Sequence, residues 1–165
     1  MSEKQKISVL MSVYIKENPT FLKDAIESVQ NQTLKPSELV LVEDGPLTPE
    51  LYQVLDQLEA ESDIPVKRYP LEQNQGLGLA LRQGVLQCQY DIIARMDTDD
   101  IAVPDRFEKQ VQLMEKDKLD LLGGHIAEFI DNPDEIVSYR RVPTQHADIV
   151  AYQRMRSAFN HMTVM

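Results

Sequence analysis

An α/β fold built on a mainly parallel sheet is predicted by two features of this sequence. Short, almost uniformly apolar runs recur through the first hundred residues, the pattern of strands buried on both faces. Each run is followed by a segment with helical periodicity rather than by a hairpin turn, so successive strands are joined by crossover helices.

The elements follow in order. "ISVLMSV" (7–13) is the first strand. Asn18 caps the next helix with Pro19 at its first position, and Phe21, Leu22, Ala25, Ile26 and Val29 recur at helical spacing up to "NQT". "ELVLVEDG" (38–45) is a second buried strand closed by a turn at Asp44-Gly45. Thr48 and Pro49 open a helix that turns Leu51, Val54, Leu55 and Leu58 to one face. "PVKRYP" is a short third strand. "NQGLGLALRQGVLQC" (74–88) enters a helix through a glycine-rich turn, with Leu77, Leu81 and Val85 spaced four apart. "DIIARM" is the fourth strand, and Pro104 starts a helix that turns Phe107, Val111 and Met114 inward. Strand-helix alternation of this kind implies right-handed βαβ units with helices on both faces of the sheet, so the first hundred residues are Rossmann-like. Beyond them "LDLLGGHIAEFI" and "EIVSYRRV" are strand-like and joined by the turn "DNPD", which predicts a hairpin or mixed-sheet extension toward the C-terminus. Thr144 is the expected cap of a last helix, "QHADIVAYQRMRSA". With no repeats, low-complexity segments or linkers, residues 1–165 are expected to form a single domain.

Composition narrows the classes of partner. There are 27 acidic against 17 basic residues, a net charge of -10, and no Lys/Arg-rich block, so the summed field repels phosphate backbones and anionic membrane surfaces. Nucleic acid is not an expected partner. The lone Cys88 cannot form an internal disulfide and has no Cys or His at zinc-site spacing, which fits a reducing, cytoplasmic compartment and a structural thiol. No apolar stretch reaches the roughly 18 residues that a transmembrane helix needs, and the apolar run near the N-terminus is too short for a signal peptide.

In open α/β sheets ligands bind at the carboxyl ends of the strands, which directs attention to "SVYIKEN", "EDGPLT" and "DTDDIAVPD". The last two carry Glu43, Asp44, Asp97, Asp99 and Asp100. If the fourth strand runs on through Thr98, its period of two sends Asp97 and Asp99 to the same side, where their carboxylates repel and a cation would relieve them. Hard oxygen donors suit Mg²⁺ or Mn²⁺, which take one or two carboxylates and fill the remaining positions with water and phosphate oxygens. An acidic protein can bind an anion in this way. The bland alternative is a solvated acidic loop in which Asp100 or Asp105 favours the N-terminus of the following helix. Other chemistries fail on details. An EF-hand loop from Asp97 would need glycine where Ala102 stands, and "GLGLAL" lacks the third glycine of a dinucleotide fingerprint. P-loop, hydrolase-elbow and zincin motifs are all absent from the sequence.

Taken in order, "ISVLMSVYIKE", "SVQNQTLKPSELVLVEDG", "NQGLGLALRQGV" and "YDIIARMDTDDIAVPDRFEKQV" resemble the successive motifs of the family 2 glycosyltransferases, inverting enzymes with the GT-A fold, and "NHMTVM" resembles a later family strand. The variant found here most resembles bacterial enzymes of capsule, exopolysaccharide or lipopolysaccharide synthesis. The resemblance implies that Ser12 and Tyr14 contact the nucleotide base, that Asp44 binds uracil or ribose, and that Asp97 and Asp99 form the D-x-D motif. Asp99 is then the first choice as metal ligand and Asp97 the nearer to the ribose, with Asp100 an alternative for either role. Arg82 stands where many relatives carry asparagine, and it is assigned either a phosphate contact or a surface salt bridge.

The activity implied is Mn²⁺- or Mg²⁺-dependent transfer of a hexosyl group from a UDP-sugar to a saccharide or lipid-linked saccharide acceptor, in the cytoplasm or at the inner face of the membrane. The family's general base belongs to a second half of the domain, so it is expected beyond Met165, in a chain cut before its acceptor half; apolar surface exposed by such a cut would favour a homodimer. His125, His146 and His161, lacking any orienting partner visible in the sequence, are read as structural. Two readings from other classes stand beside this one: a non-catalytic nucleotide- or divalent-cation-binding module, and an acidic interaction domain without a small ligand.

Overall fold

The computed structural model describes residues 5–165; the first four residues of the expected domain lie outside the described residues. Strands β1 (Ile7–Val13), β2 (Glu38–Glu43), β3 (Val66–Pro70) and β4 (Ile92–Arg95) form one sheet in the order β3-β2-β1-β4. All three pairings are parallel. The chain steps from β1 outward to β2 and β3, then returns to lay β4 on the opposite side of β1. The order therefore reverses at β1, and the crevice that opens at such a switch point is where ligands bind in this architecture.

Helices α1 (Pro19–Gln30), α2 (Pro49–Glu61), α3 (Leu77–Val85) and α4 (Arg106–Asp117) cover the sheet. The period of two divides β1 between two cores. Ile7, Val9, Met11 and Val13 pack with Leu22, Ala25 and Val29 of α1, Leu51 and Leu55 of α2 and Phe107 of α4. Leu10 meets Val40, Val42 and Ala80 of α3 on the opposite face. The N-termini of α1 and α2 are capped as expected: Asn18 Oδ1 accepts from the Thr20 N–H at 2.8 Å and Thr48 Oγ1 from the Leu51 N–H at 3.3 Å. Phe21 of α1, included in its apolar repeat, is exposed.

Helix α3 meets the sheet mainly through small residues. Leu77 and Val85 are 45% and 48% exposed, Leu81 packs partly buried against the Leu10 cluster, and the buried residues of the helix are Ala80 and Gly84. The helix lies so close that a Cβ on Gly84 would stand 2.3 Å from Leu10 Cδ1 and 2.8 Å from Val42 Cγ2. Of the three apolar residues spaced four apart only Leu81 packs against the sheet cluster, because so close an approach needs small residues at the contact.

Further corrections concern element ends. Pro104 does not begin the fourth helix: its carbonyl accepts from the Thr33 N–H at 2.8 Å, and α4 starts two residues later behind Asp105. The C-terminal extension is a separate antiparallel pair, β5 (Ile126–Glu128) with β6 (Ser138–Arg140), shorter than the two strand-like segments that contain it. Helix α5 (His146–Gln153) is capped at Gln145 rather than Thr144, and it ends before the "RMRSA" segment. "NHMTVM" forms a 3-10 turn at His161–Thr163, after which the Val164 carbonyl accepts from the Arg95 N–H at 2.8 Å. The segment thereby lies along the free edge of β4.

Gly45 fixes the end of β2. Its φ of +86° is in the left-handed region, and a Cβ there would lie 2.6 Å from the Asn74 backbone nitrogen. Gly45→Ala is expected to lower stability by about 1–3 kcal/mol, the range for a strained backbone position, as measured by urea unfolding.

Candidate functional site

Segments after β1, β2, β3 and β4, joined by the C-terminal turn at His161, meet in a cleft of about 380 Å³ lined by Ser12, Tyr14, Glu17, Asp44, Asn74, Gly76, Leu77, Asp97, Thr98, Asp99 and His161. The volume is within the range of small-molecule sites. Ser12, Tyr14, Asp44, Asp97 and Asp99, all singled out from the sequence, come together here. A second surface hollow, between α1 and α2, holds none of them.

Asp44 is buried and organises one wall. Its Oδ1 accepts from the Gln75 N–H at 2.7 Å, and its Oδ2 from the Gly76 N–H and Asn74 Nδ2, both at 3.0 Å. These bonds clamp the glycine-rich turn that leads into α3, and so place Asn74 and Gly76 in the cleft. Glu43, one residue earlier, points the other way: it is ion-paired with Arg68 Nε at 2.6 Å and belongs to the β2-β3 junction. The ring of Tyr14 is 42% exposed and offers a flat face to the cleft.

On the opposite wall β4 ends at Arg95, so the strand does not continue through Thr98. Thr98 is nevertheless buried, with Oγ1 bonded to Glu17 and to the Ser12 carbonyl, while Asp97 and Asp99 flank it on the open side. Asp97, Asp99 and Asp100 can each offer a carboxylate oxygen within 4.8 Å of the others, a donor set that fits one hard divalent cation. Desolvation, followed by the charges of Glu17 and Asp97, holds the Asp99 carboxyl above the usual carboxylate range. Asp100 sits behind the cleft-lining residues with Oδ2 buried and, among the described residues, unpartnered, and desolvation first, then the neighbouring Asp97 and Asp99, push it up to about 6.

Two arginines that sequence reasoning passed over stand behind these acids. Arg95, 7% exposed, is ion-paired with Asp97. Arg106 donates from Nη2 to the Arg95 carbonyl at 2.8 Å and from Nε to Gln110 Oε1 at 2.8 Å. Arg95 was hidden inside an apolar strand motif and Arg106 inside a helix start; a buried charge adjoining three aspartates was the available signal. His161, read from the sequence as structural, lines the cleft with Nδ1 3.7 Å from Asp97 Oδ2. His125 Nδ1 accepts from the Val142 N–H at 3.2 Å, and His146 begins α5; neither lines the cleft.

Arg82 is exposed and does not line the cleft. Successive helical residues turn by about 100°, so the close packing of Ala80 and Gly84 carries the residue between them to the solvent side of α3. Lys35, ion-paired with Asp63, does not line the cleft.

The raised Asp100 value has a testable sign. A carboxyl whose folded value, about 6, exceeds its ordinary 3.8 supports the fold fully below 3.8 and loses that support as pH rises through 6. In unfolding measurements without divalent cations, Asp100→Asn is therefore expected to gain stability relative to the parent chain across that interval.

The model of the family described as glycosyl transferase family 2 matches residues 8–165. An uncharacterized glycosyltransferase of Haemophilus influenzae is 52% identical over 160 residues, which are 96% of this chain and 59% of that protein. The Escherichia coli UDP-Gal:alpha-D-GlcNAc-diphosphoundecaprenol beta-1,3-galactosyltransferase is 39% identical over 96% of this chain and 57% of its own length. The chain thus spans less than two thirds of the length of these relatives. In fold it is similar to the mannosyltransferase PcManGT of Pyrobaculum calidifontis, solved with GDP-Man and Mn²⁺, at a TM-score of 0.65, 14% identity and coverage of 74% of this chain and 36% of that one. With a family match that runs through every strand of the sheet and every wall of the cleft, the chain belongs to glycosyl transferase family 2.

Proposed function

We propose that this chain is the nucleotide-sugar-binding part of a metal-dependent inverting glycosyltransferase, which moves a hexosyl group from a UDP-sugar to a saccharide or lipid-linked saccharide acceptor. The observation that carries this is the meeting of Asp97 and Asp99 with Ser12, Tyr14 and Asp44 in one cleft at the β1 switch point. The donor named for the Escherichia coli relative is UDP-Gal and its acceptor is a diphosphoundecaprenol-linked sugar, which supports the donor class and a lipid-linked acceptor.

The two walls divide the work. Tyr14 stacks on the base, and Ser12 lies beside it at the end of β1. Asp44 acts through the turn it clamps, presenting Asn74 and Gly76 to the nucleoside. Asp97, Asp99 and Asp100 hold the cation, Mn²⁺ or Mg²⁺, with Asp99 the most open of the three. When bound, that cation supplies positive charge against the leaving diphosphate. Thr98, anchored to the Ser12 carbonyl and to Glu17, keeps the acidic turn against the loop after β1, so that base and diphosphate subsites hold a fixed spacing.

Thermal unfolding with UDP and Mn²⁺, separately and together, tests this assignment. A ligand at about 100 times its Kd adds roughly 2.7 kcal/mol when it binds only the folded state. Stabilisation is expected to need both components and to vanish in Asp99→Ala. Stabilisation by Ca²⁺ alone would instead identify a cation-binding module, and no response to either ligand would leave an acidic interaction domain.

A further inference from the structure

The acidic turn carries its own countercharge. Arg95 is 7% exposed and is ion-paired with Asp97 through Nη2, while its Nε and Nη1 have no hydrogen-bond partner among the described residues. Arg106 lies beneath it, bonded through Nη2 to the Arg95 carbonyl at 2.8 Å and with Nη1 3.2 Å from Met96 Sδ. Both guanidinium groups attract the Asp100 carboxylate, whose Oδ2 is buried without a partner among the described residues. The two cations also repel one another. Burying them side by side is costly unless the anions beside them repay it, and removal of either sign alone would leave uncompensated charge in a low-dielectric interior. The backbone reinforces the arrangement: the Arg95 N–H is held by Val164, and Gln110, which receives Arg106 Nε, donates to the Thr163 carbonyl at 2.8 Å.

We infer that Arg95 and Arg106 are positioning residues that set the charge of this cluster so low that a divalent cation binds firmly only together with a nucleotide diphosphate. This rests on the donor-site assignment above. Three carboxylates facing two guanidinium groups leave one net negative charge, with Glu17 adding a second across the cleft. That is too little to hold a dication against water and against two buried cations. The missing anionic ligands come from the diphosphate, so cation and nucleotide bind as a coupled pair, each strengthening the other by the same factor. A cleft free of nucleotide then stays free of metal, and the cation is recruited when donor is present.

Mn²⁺ binding by the whole chain, followed through the electron paramagnetic resonance signal of free Mn²⁺ and corrected for Mn²⁺-UDP in solution, tests this without any turnover. In the parent chain saturating UDP is expected to tighten Mn²⁺ by at least about tenfold, the factor equivalent to about 1.4 kcal/mol. Arg95→Met is expected to bind Mn²⁺ alone about tenfold more tightly than the parent, with a smaller gain from UDP, whereas Arg95→Lys keeps the charge and stays near the parent. A purely structural lesion would weaken Mn²⁺ binding, the opposite direction. Equal or weaker Mn²⁺ binding by a folded Arg95→Met overturns the inference, as does a parent chain that binds Mn²⁺ equally with and without UDP; the second arm holds even where Arg95→Met does not fold. A parent that binds neither Mn²⁺ nor UDP brings down the donor-site assignment itself, whereas binding of both without coupling removes only this inference.

Discussion

Parallel pairing of β1 with both β2 and β4 is the constraint on which everything else in this molecule depends. Three strands that run the same way end at the same edge, so the segments following them must share one crevice. The polar residues there are far apart in sequence, Ser12, Asp44 and Asp97, yet they line a single cleft because their strands are neighbours. The two faces of β1 are sealed by different helices, and that sealing leaves only the strand ends open to ligands.

A crevice with Glu17, Asp44, Asp97 and Asp99 on its walls is electrostatically unfavourable unless each charge is answered. The structure answers them in two ways. Asp44 is satisfied by backbone N–H groups and an amide of its own turn, which makes it part of the scaffold. The β4 acids are met from behind by Arg95 and Arg106, and from the front they stay open. Rigidity on one wall and residual negative charge on the other suit a ligand with a neutral, flat end and an anionic end that is accompanied by a divalent cation.

Close approach is the second device. Helix α3 has to sit near β1 and β2 for the turn before it to reach Asp44, and Gly84 is what permits this, since a Cβ would strike Leu10 and Val42. Gly45, at the end of β2, yields the same kind of space to the Asn74 backbone. Leu77, Leu79 and Val85 of α3 consequently face outward, and Arg82 faces outward with them.

Local chemistry was readable without coordinates. The strand runs, the caps at Asn18 and Thr48, the Asp-Gly turn and the acidic turn after the fourth strand each follow from residues adjacent in the chain, and motifs in series were enough to indicate the family. What tertiary structure decided was anything that depends on which surface comes near which. The buried face of α3, the start of α4 behind Asp105, the opposite destinations of Glu43 and Asp44, and the pairing of Arg95 with Asp97 all turn on contacts between segments brought together by the sheet. Periodicity reports that a side chain is apolar and how often it recurs; it carries no measure of the distance to the neighbouring backbone, nor of the countercharge waiting there.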